Sequence, residues 1–237
     1  MGFQAENYKG EKIINSGGII IVLFYLLYYI LSINLKKVNS LQWSGLIFIL
    51  MITASVGVID DICGGRNEKG FKGHIKKLWK GKLSTGVMKA IAVTTSAIIV
   101  LLYLNNFKLT NVTIIIFSAN LFNLLDLRPG RALKVFILMS VFLLVFYPQF
   151  ILYFLPIYII SIVYLPLEFK KIMMLGDSGS NSLGIILGWS IINISHTLIK
   201  INVLLLFFIL NILAEKISFT KIIEKNRYLN WVDQIGR

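Results

Sequence analysis

The sequence predicts an all-α protein: a polytopic integral membrane helix bundle with about eight transmembrane helices and both termini in the cytoplasm. Two observations concern composition. Of the 237 residues, 57% are hydrophobic and only 15% are charged, whereas a soluble domain carries about 25% charged residues. The third observation is the regular alternation of long apolar runs with short polar connections. A soluble globular enzyme is therefore excluded, and residues 1–237 are expected to form one membrane domain.

The predicted helices follow from the apolar runs in order. A helix needs about 20 mostly apolar residues to cross the hydrocarbon core, where lipid offers no partners for backbone N–H and C=O groups. Eight runs come close to this length: 17–35, 41–59, 85–104, 109–125, 132–147, 149–167, 179–195 and 201–217. The third is rich in small and β-branched residues and the fourth contains three asparagines. Both are therefore expected to pack inside the bundle rather than face lipid.

The basic residues predict the orientation. The formal net charge is +13, and twenty of the 24 Lys and Arg residues fall on one side when alternate connections are counted together. Lys-rich and Arg-rich connections stay in the cytoplasm, so both termini are predicted there, and all eleven acidic residues lie on the same side. The charge therefore indicates a membrane partner and no nucleic acid. The single cysteine excludes an internal disulfide.

The first polar motif on the cytoplasmic side is Asp60-Asp61, at the end of the second run. Adjacent carboxylates repel each other, and the dipole of a helix C-terminus disfavours negative charge. A solvated helix end would explain an isolated pair. The functional alternative is a general base or a Mg²⁺ site, because Mg²⁺ prefers hard carboxylate oxygens.

The next connection is a basic loop over residues 66–82, with seven Lys and Arg residues among several glycines. A loop resting on anionic lipid explains most of the lysines. A glycine-rich basic loop can also fold over a diphosphate and neutralise it. Lys69, Lys72 and His74 are therefore candidate substrate-binding residues.

The fourth run ends in polar residues at three-residue spacing: Asn120, Asn123 and Asp126. Helix packing alone would explain the asparagines. It explains Asp126 less well, because an ionisable group at membrane depth is expensive and usually functional. Arg128 and Arg131 follow, either as counter-ions of Asp126 or as bidentate phosphate ligands.

The last motif begins at Gly176, Asp177 and Ser178 and opens the seventh run. Small polar residues at a helix start leave free backbone N–H groups there. Further along, Ser180, Gly184 and Gly188 predict a tight packing face. A helix start next to a carboxylate suits a phosphate bridged by Mg²⁺. The four motifs together predict a Mg²⁺-dependent site for a phosphate-bearing substrate at the cytoplasmic leaflet.

A family resemblance rests on four blocks in chain order: Asn7-x-x-Gly10 with Gly17-Gly18; Asp60-Asp61; Asn120-x-x-Asn123-Leu-Leu-Asp126; and Gly176-Asp177-Ser178-Gly179-Ser180-x-x-Leu183-Gly184. They resemble the polyprenyl-phosphate N-acetylhexosamine-1-phosphate transferases. That family includes the phospho-N-acetylmuramoyl-pentapeptide transferase and the bacterial GlcNAc-1-phosphate transferases. The resemblance implies transfer of a sugar 1-phosphate from a nucleotide sugar, with a UDP-N-acetylhexosamine expected, to polyprenyl phosphate for cell-wall or surface glycan synthesis.

The resemblance also implies roles for individual residues. Asp177, with Asn123, would hold Mg²⁺, for which Mn²⁺ is an alternative. Asp60 and Asp61 would act on or position the attacking lipid phosphate, and Asp126 would support the metal and the nucleotide. The remaining candidates are assigned to substrate binding: Asn120, Lys69, Lys72, His74, Arg128, Arg131, Gly176 and Ser178. A homodimer is compatible with the family and with the small-residue faces.

The sequence also departs from the family pattern. Family members usually have ten spans, against about eight predicted here. Pro129 stands where the family has a second aspartate, and residues 219–237 lack the family's histidine-rich motif. These departures favour an alternative: a non-catalytic relative that binds polyprenyl phosphate or a nucleotide sugar as a regulator or scaffold of envelope synthesis. The costly acidic residues that are kept favour an enzyme.

Overall fold

The computed structural model describes residues 4–6, 12–35, 40–63 and 85–236. This part of the chain is almost entirely helical, apart from two short strands and one 3₁₀ turn. The strands are β1 (Gln4–Glu6) and β2 (Lys12–Ile14), and the 3₁₀ turn is Pro148–Phe150. The α-helices are α1 (Ile19–Asn34), α2 (Ser40–Cys63), α3 (Thr85–Tyr103), α4 (Leu109–Leu125), α5 (Arg131–Phe146), α6 (Ile151–Phe169), α7 (Gly176–Ile192), α8 (Thr197–Lys216), α9 (Phe219–Lys225) and α10 (Arg227–Gln234).

The first eight helices correspond one to one to the eight apolar runs, with ends displaced by a few residues. Four segments are long and apolar enough to cross a membrane, as judged by length and composition: Ser40–Ile62, Thr85–Tyr103, Pro148–Phe169 and Thr197–Ala214. Helices α1 and α4 are apolar but shorter. The chain therefore has the composition of a helical membrane protein, while eight crossings with cytoplasmic termini stay a prediction.

Helix α7 is the centre of the bundle. All of its residues except Asp177 are buried, and it packs mainly against α4 and α2. Glycine allows these close approaches. A Cβ atom on Gly184 would lie 2.4 Å from the carbonyl oxygen of Ser118, and one on Gly57 would lie 2.7 Å from the Cα of Ser178. The predicted small-residue packing face is confirmed.

Helix α3 differs from the expectation that it packs inside the bundle. Ile91, Ile99 and Leu102 are each more than half exposed, so one face of α3 forms part of the outer surface of the described chain. The other face of α3 carries the buried residues Val93, Ser96, Ala97, Val100 and Leu101, and α3 packs against α2. A helix rich in small and β-branched residues therefore needs close packing on one face only, and its other face can be exposed.

The N-terminal segment forms a hairpin that the all-α prediction does not include. Strand β1 pairs antiparallel with β2, placing Gln4 opposite Ile14. Ile14 then bridges in parallel to Met173, and the backbone N–H of Gly18 donates to the carbonyl of Leu175 at 3.0 Å. Strands of three residues are too short to give an alternating pattern. Their effect is to hold the chain that leads into α7.

Candidate functional site

Three of the four polar motifs meet at one end of the bundle, which we call the charged end; the fourth, the basic loop 66–82, lies outside the described residues. Asp60 and Asp61 lie in the last turn of α2, and Asn123 lies in the last turn of α4. Lys89 lies near the start of α3 and Asp177 in the first turn of α7. Because these helices pack against one another, residues more than 100 positions apart become neighbours.

The ammonium group of Lys89 occupies the centre of the site. Its Nζ donates to Asp177 Oδ2 at 2.5 Å and lies 3.7 Å from Asp60 Oδ2. The orientation of the Asn123 amide is assigned from its hydrogen-bond partners: in this orientation Nδ2 donates to Asp177 Oδ1 at 2.6 Å, and the oxygen accepts from Lys89 Nζ at 3.1 Å. One cation thus neutralises two carboxylates that are mostly screened from water. The search for motifs missed Lys89, although a lysine inside an apolar run is itself a signal.

Asp61 has a different environment from Asp60. Its Oδ1 accepts from the backbone N–H of Asp177 at 3.0 Å and from Asn15 Nδ2 at 3.0 Å. Its negative charge therefore lies at the start of α7, where the helix dipole favours it. Gly176, at φ +63°, allows Asn15 to lie this close to the start of α7, because a Cβ on Gly176 would lie 1.9 Å from the carbonyl oxygen of Asn15. Asn15 is a site residue that sequence reasoning missed, since no motif marks it.

A second pair of buried carboxyl groups lies behind this site. Glu168 is fully buried; its Oε2 accepts from the N–H of Gly130 at 3.0 Å and its Oε1 from the N–H of Leu175 at 3.1 Å. It thereby ties the turn after α4 to the segment before α7. Burial, followed by the charges of Glu168 and Asp177, raises the pKa of Asp126 well above its ordinary value. Sequence reasoning missed Glu168, which follows an apolar run as Asp60 does.

Both arginines after α4 are engaged by the C-terminal helices. Arg131 is buried, and its Nε and Nη2 donate to the two carboxylate oxygens of Asp233 at 2.8 and 2.9 Å. Arg128 Nη2 lies 3.4 Å from Glu224 Oε1. The sequence left open a counter-ion role toward Asp126 or a grip on phosphate. The structure shows ion pairs with acids about a hundred residues away, which spacing does not reveal.

The other candidates divide into two groups. Asn120 donates to Asn211 of α8 at 2.6 Å, which is the packing role weighed for it, and Ser178 is buried with its hydroxyl directed to the carbonyl of Leu175. The remaining ones lie outside the described residues: Asn7, Gly10, Lys69, Lys72 and His74.

The donor set at the charged end fits Mg²⁺ in one mode of binding. Among the described residues, no group of three or more His, Cys, Asp and Glu side chains could hold a metal ion. These residues therefore do not form a metal site in which the protein supplies every ligand. Mg²⁺ at phosphate sites is commonly held by one or two carboxylates, with water and substrate oxygens completing the shell. Asp60, Asp177 and the amide oxygen of Asn123 supply such a set around the place that Lys89 Nζ takes.

The geometry thus joins Asp60, Asp61, Lys89, Asn123 and Asp177 and sets Asp126 close behind them. Compared with known proteins, the chain matches no family model, no curated protein and no solved structure.

Proposed function

We propose that this chain is a Mg²⁺-dependent phosphotransferase. It transfers a sugar 1-phosphate from a nucleotide diphosphate sugar, with UDP-N-acetylhexosamine as the first donor to test, to polyprenyl phosphate for cell-wall or surface glycan synthesis. The observation that supports this proposal is the convergence of Asp60, Asn123 and Asp177 on one cation position. The order of the sequence motifs, which resembles that of the transferase family, agrees with it.

The proposed reaction is a displacement at phosphorus. An oxygen of the lipid phosphate attacks the β-phosphorus of the donor, the bond from that phosphorus to the bridging oxygen breaks, and a nucleoside monophosphate leaves. Such a transfer asks the protein mainly for alignment and neutralisation of charge. Bound Mg²⁺ would supply that neutralisation on the diphosphate oxygens.

The side chains at the charged end would divide this work. Asp177 and Asn123 would hold the cation, and Asp60 faces the same position. The ammonium of Lys89 is placed to move from the carboxylates to phosphate oxygens when substrate arrives, because both partners are anionic oxygens. Asp61 fixes the start of α7, on which Asp177 depends, through its contact with the N–H of Asp177.

The proposed location is the cytoplasmic face of the plasma membrane, in a multi-pass arrangement. The uneven distribution of Lys and Arg supports this orientation. A polyprenyl phosphate has its charged head at the membrane surface and its chain in the lipid. A site at the end of apolar helices suits that substrate, and the charged end has this placement.

The test is release of nucleoside monophosphate by the purified full chain, given Mg²⁺, undecaprenyl phosphate and a panel of UDP-, CDP-, GDP- and dTDP-sugars. Asp177→Asn should reduce turnover by about a hundredfold to a thousandfold, a loss typical of removing one group that stabilises transition-state charge. The matched control is Glu224→Gln, which removes a carboxylate from the same end but outside the site and should keep near-normal turnover. Substantial turnover by Asp177→Asn would contradict the proposed metal ligand.

A second candidate function is a non-catalytic protein that binds polyprenyl phosphate or a nucleotide sugar and regulates or scaffolds envelope synthesis. The observation that favours it is the buried pairing of Arg131 with Asp233, which keeps that arginine from a phosphate. This candidate predicts no product from any donor, together with lipid binding that is unchanged when Mg²⁺ is removed.

A further inference from the structure

The C-terminal helix α10 has its apolar side chains on the outside and its acidic side chain on the inside. Tyr228 is 81% exposed and Trp231 is 68% exposed, whereas Asp233 is only 8% exposed. A surface helix of a water-soluble protein shows the opposite arrangement, with its apolar stripe toward the core. The surroundings of α10 are therefore expected to be apolar.

The exposed apolar residues form one continuous stripe. Tyr228, Trp231 and Val232 follow the spacing i, i+3 and i+4, which places them on one side of α10, and Ile235 follows directly after the last helical residue. All four are exposed. Two of them are the aromatic types enriched where hydrocarbon meets headgroups.

Helix α10 is fixed to the bundle rather than free to swing. Arg131 holds Asp233 with two hydrogen bonds. Lys134 Nζ donates to the carbonyl oxygens of Val232, Asp233 and Ile235 at 3.1, 2.6 and 3.2 Å, which neutralises the negative end of the helix. Both basic residues lie in the first turn of α5, so α10 lies across the charged end of the bundle.

The surroundings of the stripe match an anionic lipid surface. Lys216, Lys221, Lys225 and Arg227 are exposed in or beside α9 and α10, while Glu224 is paired with Arg128. Farther from the charged end, the outer surface of α5 is apolar, since Leu138 is 69% exposed. An amphipathic helix with aromatic residues on one face and basic residues around it is typical of in-plane membrane binding.

We infer that the exposed face of α10 lies in the interface of an anionic membrane leaflet, on the side of the charged end. Tyr228, Trp231, Val232 and Ile235 insert beside the upper acyl chains, and the basic side chains contact anionic headgroups. Because Arg131 and Lys134 fix the helix, it sets the depth of the charged end relative to the lipid surface. This inference does not depend on the proposed transferase activity.

The test compares two cysteines in the full chain that lie about 120° apart around α10, at about 100° per residue, with Cys63→Ala as background. Tyr228→Cys lies on the stripe, and Gln234→Cys is the matched control; both positions are exposed on the protein's own surface. The protein is placed one copy per nanodisc in a mixture of phosphatidylcholine and phosphatidylglycerol. With a membrane-impermeant maleimide, Tyr228→Cys should react about tenfold more slowly, because the thiolate is the reactive form and apolar surroundings suppress it.

The alternatives give different results. Equal labelling rates would overturn the inference, since the stripe would then face water. Protection of Tyr228→Cys in crowded vesicles that is lost at one copy per disc would also overturn it, because a second copy would then be the occupant. Equal protection in discs of phosphatidylcholine alone would overturn the assignment of anionic lipid. Trp231→Cys repeats the test on the same stripe if Tyr228→Cys folds poorly.

Discussion

At the scale of single residues, Lys89 does for the charged end what a bound cation would do. It lies between Asp60 and Asp177, and its oxygen partners include the amide of Asn123. Two carboxylates this close would otherwise repel each other in a poorly solvated place. The lysine therefore allows the site to form before any ligand binds, and a ligand that brings positive charge must share or replace its contacts.

This arrangement makes a prediction for Lys89→Met. The variant leaves the carboxylates without their ammonium, so its apparent melting temperature in EDTA should fall below that of the unmodified chain. A divalent cation can then take the vacated place, and millimolar Mg²⁺ should recover most of the loss. The control is Lys200→Met, which removes a lysine at the opposite end whose Nζ donates to the backbone carbonyl of Ile192 and should show no Mg²⁺ response. A Lys89→Met loss that Mg²⁺ leaves unchanged would contradict a cation site.

A second residue-scale prediction concerns the pH dependence of stability at Asp126. Its pKa is raised in the folded chain, so below about pH 4, where an unfolded aspartate is protonated too, the residue has no stability penalty. As the pH rises further, the carboxyl group of Asp126 ionises in the unfolded chain but not in the folded one, so the folded state loses stability. Asp126→Asn lacks this penalty. The melting temperature of Asp126→Asn should therefore exceed that of the unmodified chain, and the difference should grow with pH. Each kcal/mol of difference in unfolding free energy corresponds to about 2–4 °C. A difference that is independent of pH would contradict the raised pKa.

The predicted site residues that the structure brings together share one property: Asp60, Asn123 and Asp177 are polar groups at the ends of apolar runs. A polar side chain at such a place is costly, and this cost can be recognised from the local sequence. Asn15 carries no such mark, because it follows a short strand. Arg128 and Arg131 look like phosphate ligands by residue type, but their partners lie in α9 and α10. Local spacing contains no information on contacts between segments a hundred residues apart.

At the scale of helices, the position of α7 depends on how closely its small residues approach α4. The carbonyl oxygen of Ser118 would lie 2.4 Å from a Cβ on Gly184, and both groups belong to helix backbones that cannot move separately. The starts of α2, α4 and α7 were predictable because apolar runs and glycine spacing are local signals. The hairpin that holds residues 173–175 was not, because three-residue strands leave no pattern.

We expect Gly184→Val to displace α7 and to lower stability by about 1–3 kcal/mol or more, the usual cost of overpacking. The matched control is Ser195→Val, which adds a similar side chain at an exposed turn. Thermal unfolding in detergent measures both. If Gly184→Val unfolds at the same temperature as Ser195→Val, α7 and α4 are not in close contact.

The two ion pairs that hold the C-terminal helices should differ in strength. In the pair of Arg131 with Asp233 the side chains are 3% and 9% exposed, but in that of Arg128 with Glu224 they are 23% and 56% exposed. Removing one partner of a buried pair costs about 3–5 kcal/mol, because the other charge stays uncompensated. Surface pairs contribute about 0–1 kcal/mol. Asp233→Ala should therefore expose α10 to limited proteolysis at low protease, and Glu224→Ala should not; equal sensitivity would contradict the burial of Asp233.

At the scale of the whole molecule, the polar site residues and the apolar packing lie toward opposite ends of the bundle. Among the described residues, the charged end holds the acidic side chains of α2, of the turn after α4 and of the start of α7, together with Lys89 and the C-terminal helices. Toward the opposite end, α7 is enclosed by apolar side chains from α2 and α4. This separation is what composition predicted from the uneven distribution of charge. In the part of the chain that the structure describes, four segments meet the length and hydropathy of a span, so the crossing of the shorter helices needs a test of its own.

Helix α7 gives the sharpest test of the eight crossings. Its 17 residues extend about 26 Å at 1.5 Å per residue, slightly less than the roughly 30 Å of the hydrocarbon core. A helix this short can still cross where other helices enclose it, because it needs no lipid contact along its length. Lys170 and Ser195 are exposed and bracket α7. If α7 crosses, then in a Cys63→Ala background an impermeant maleimide should label Ser195→Cys in intact cells and Lys170→Cys only after permeabilisation. Labelling of both from the same side would mean that α7 does not cross, and the predicted number of crossings would then be wrong.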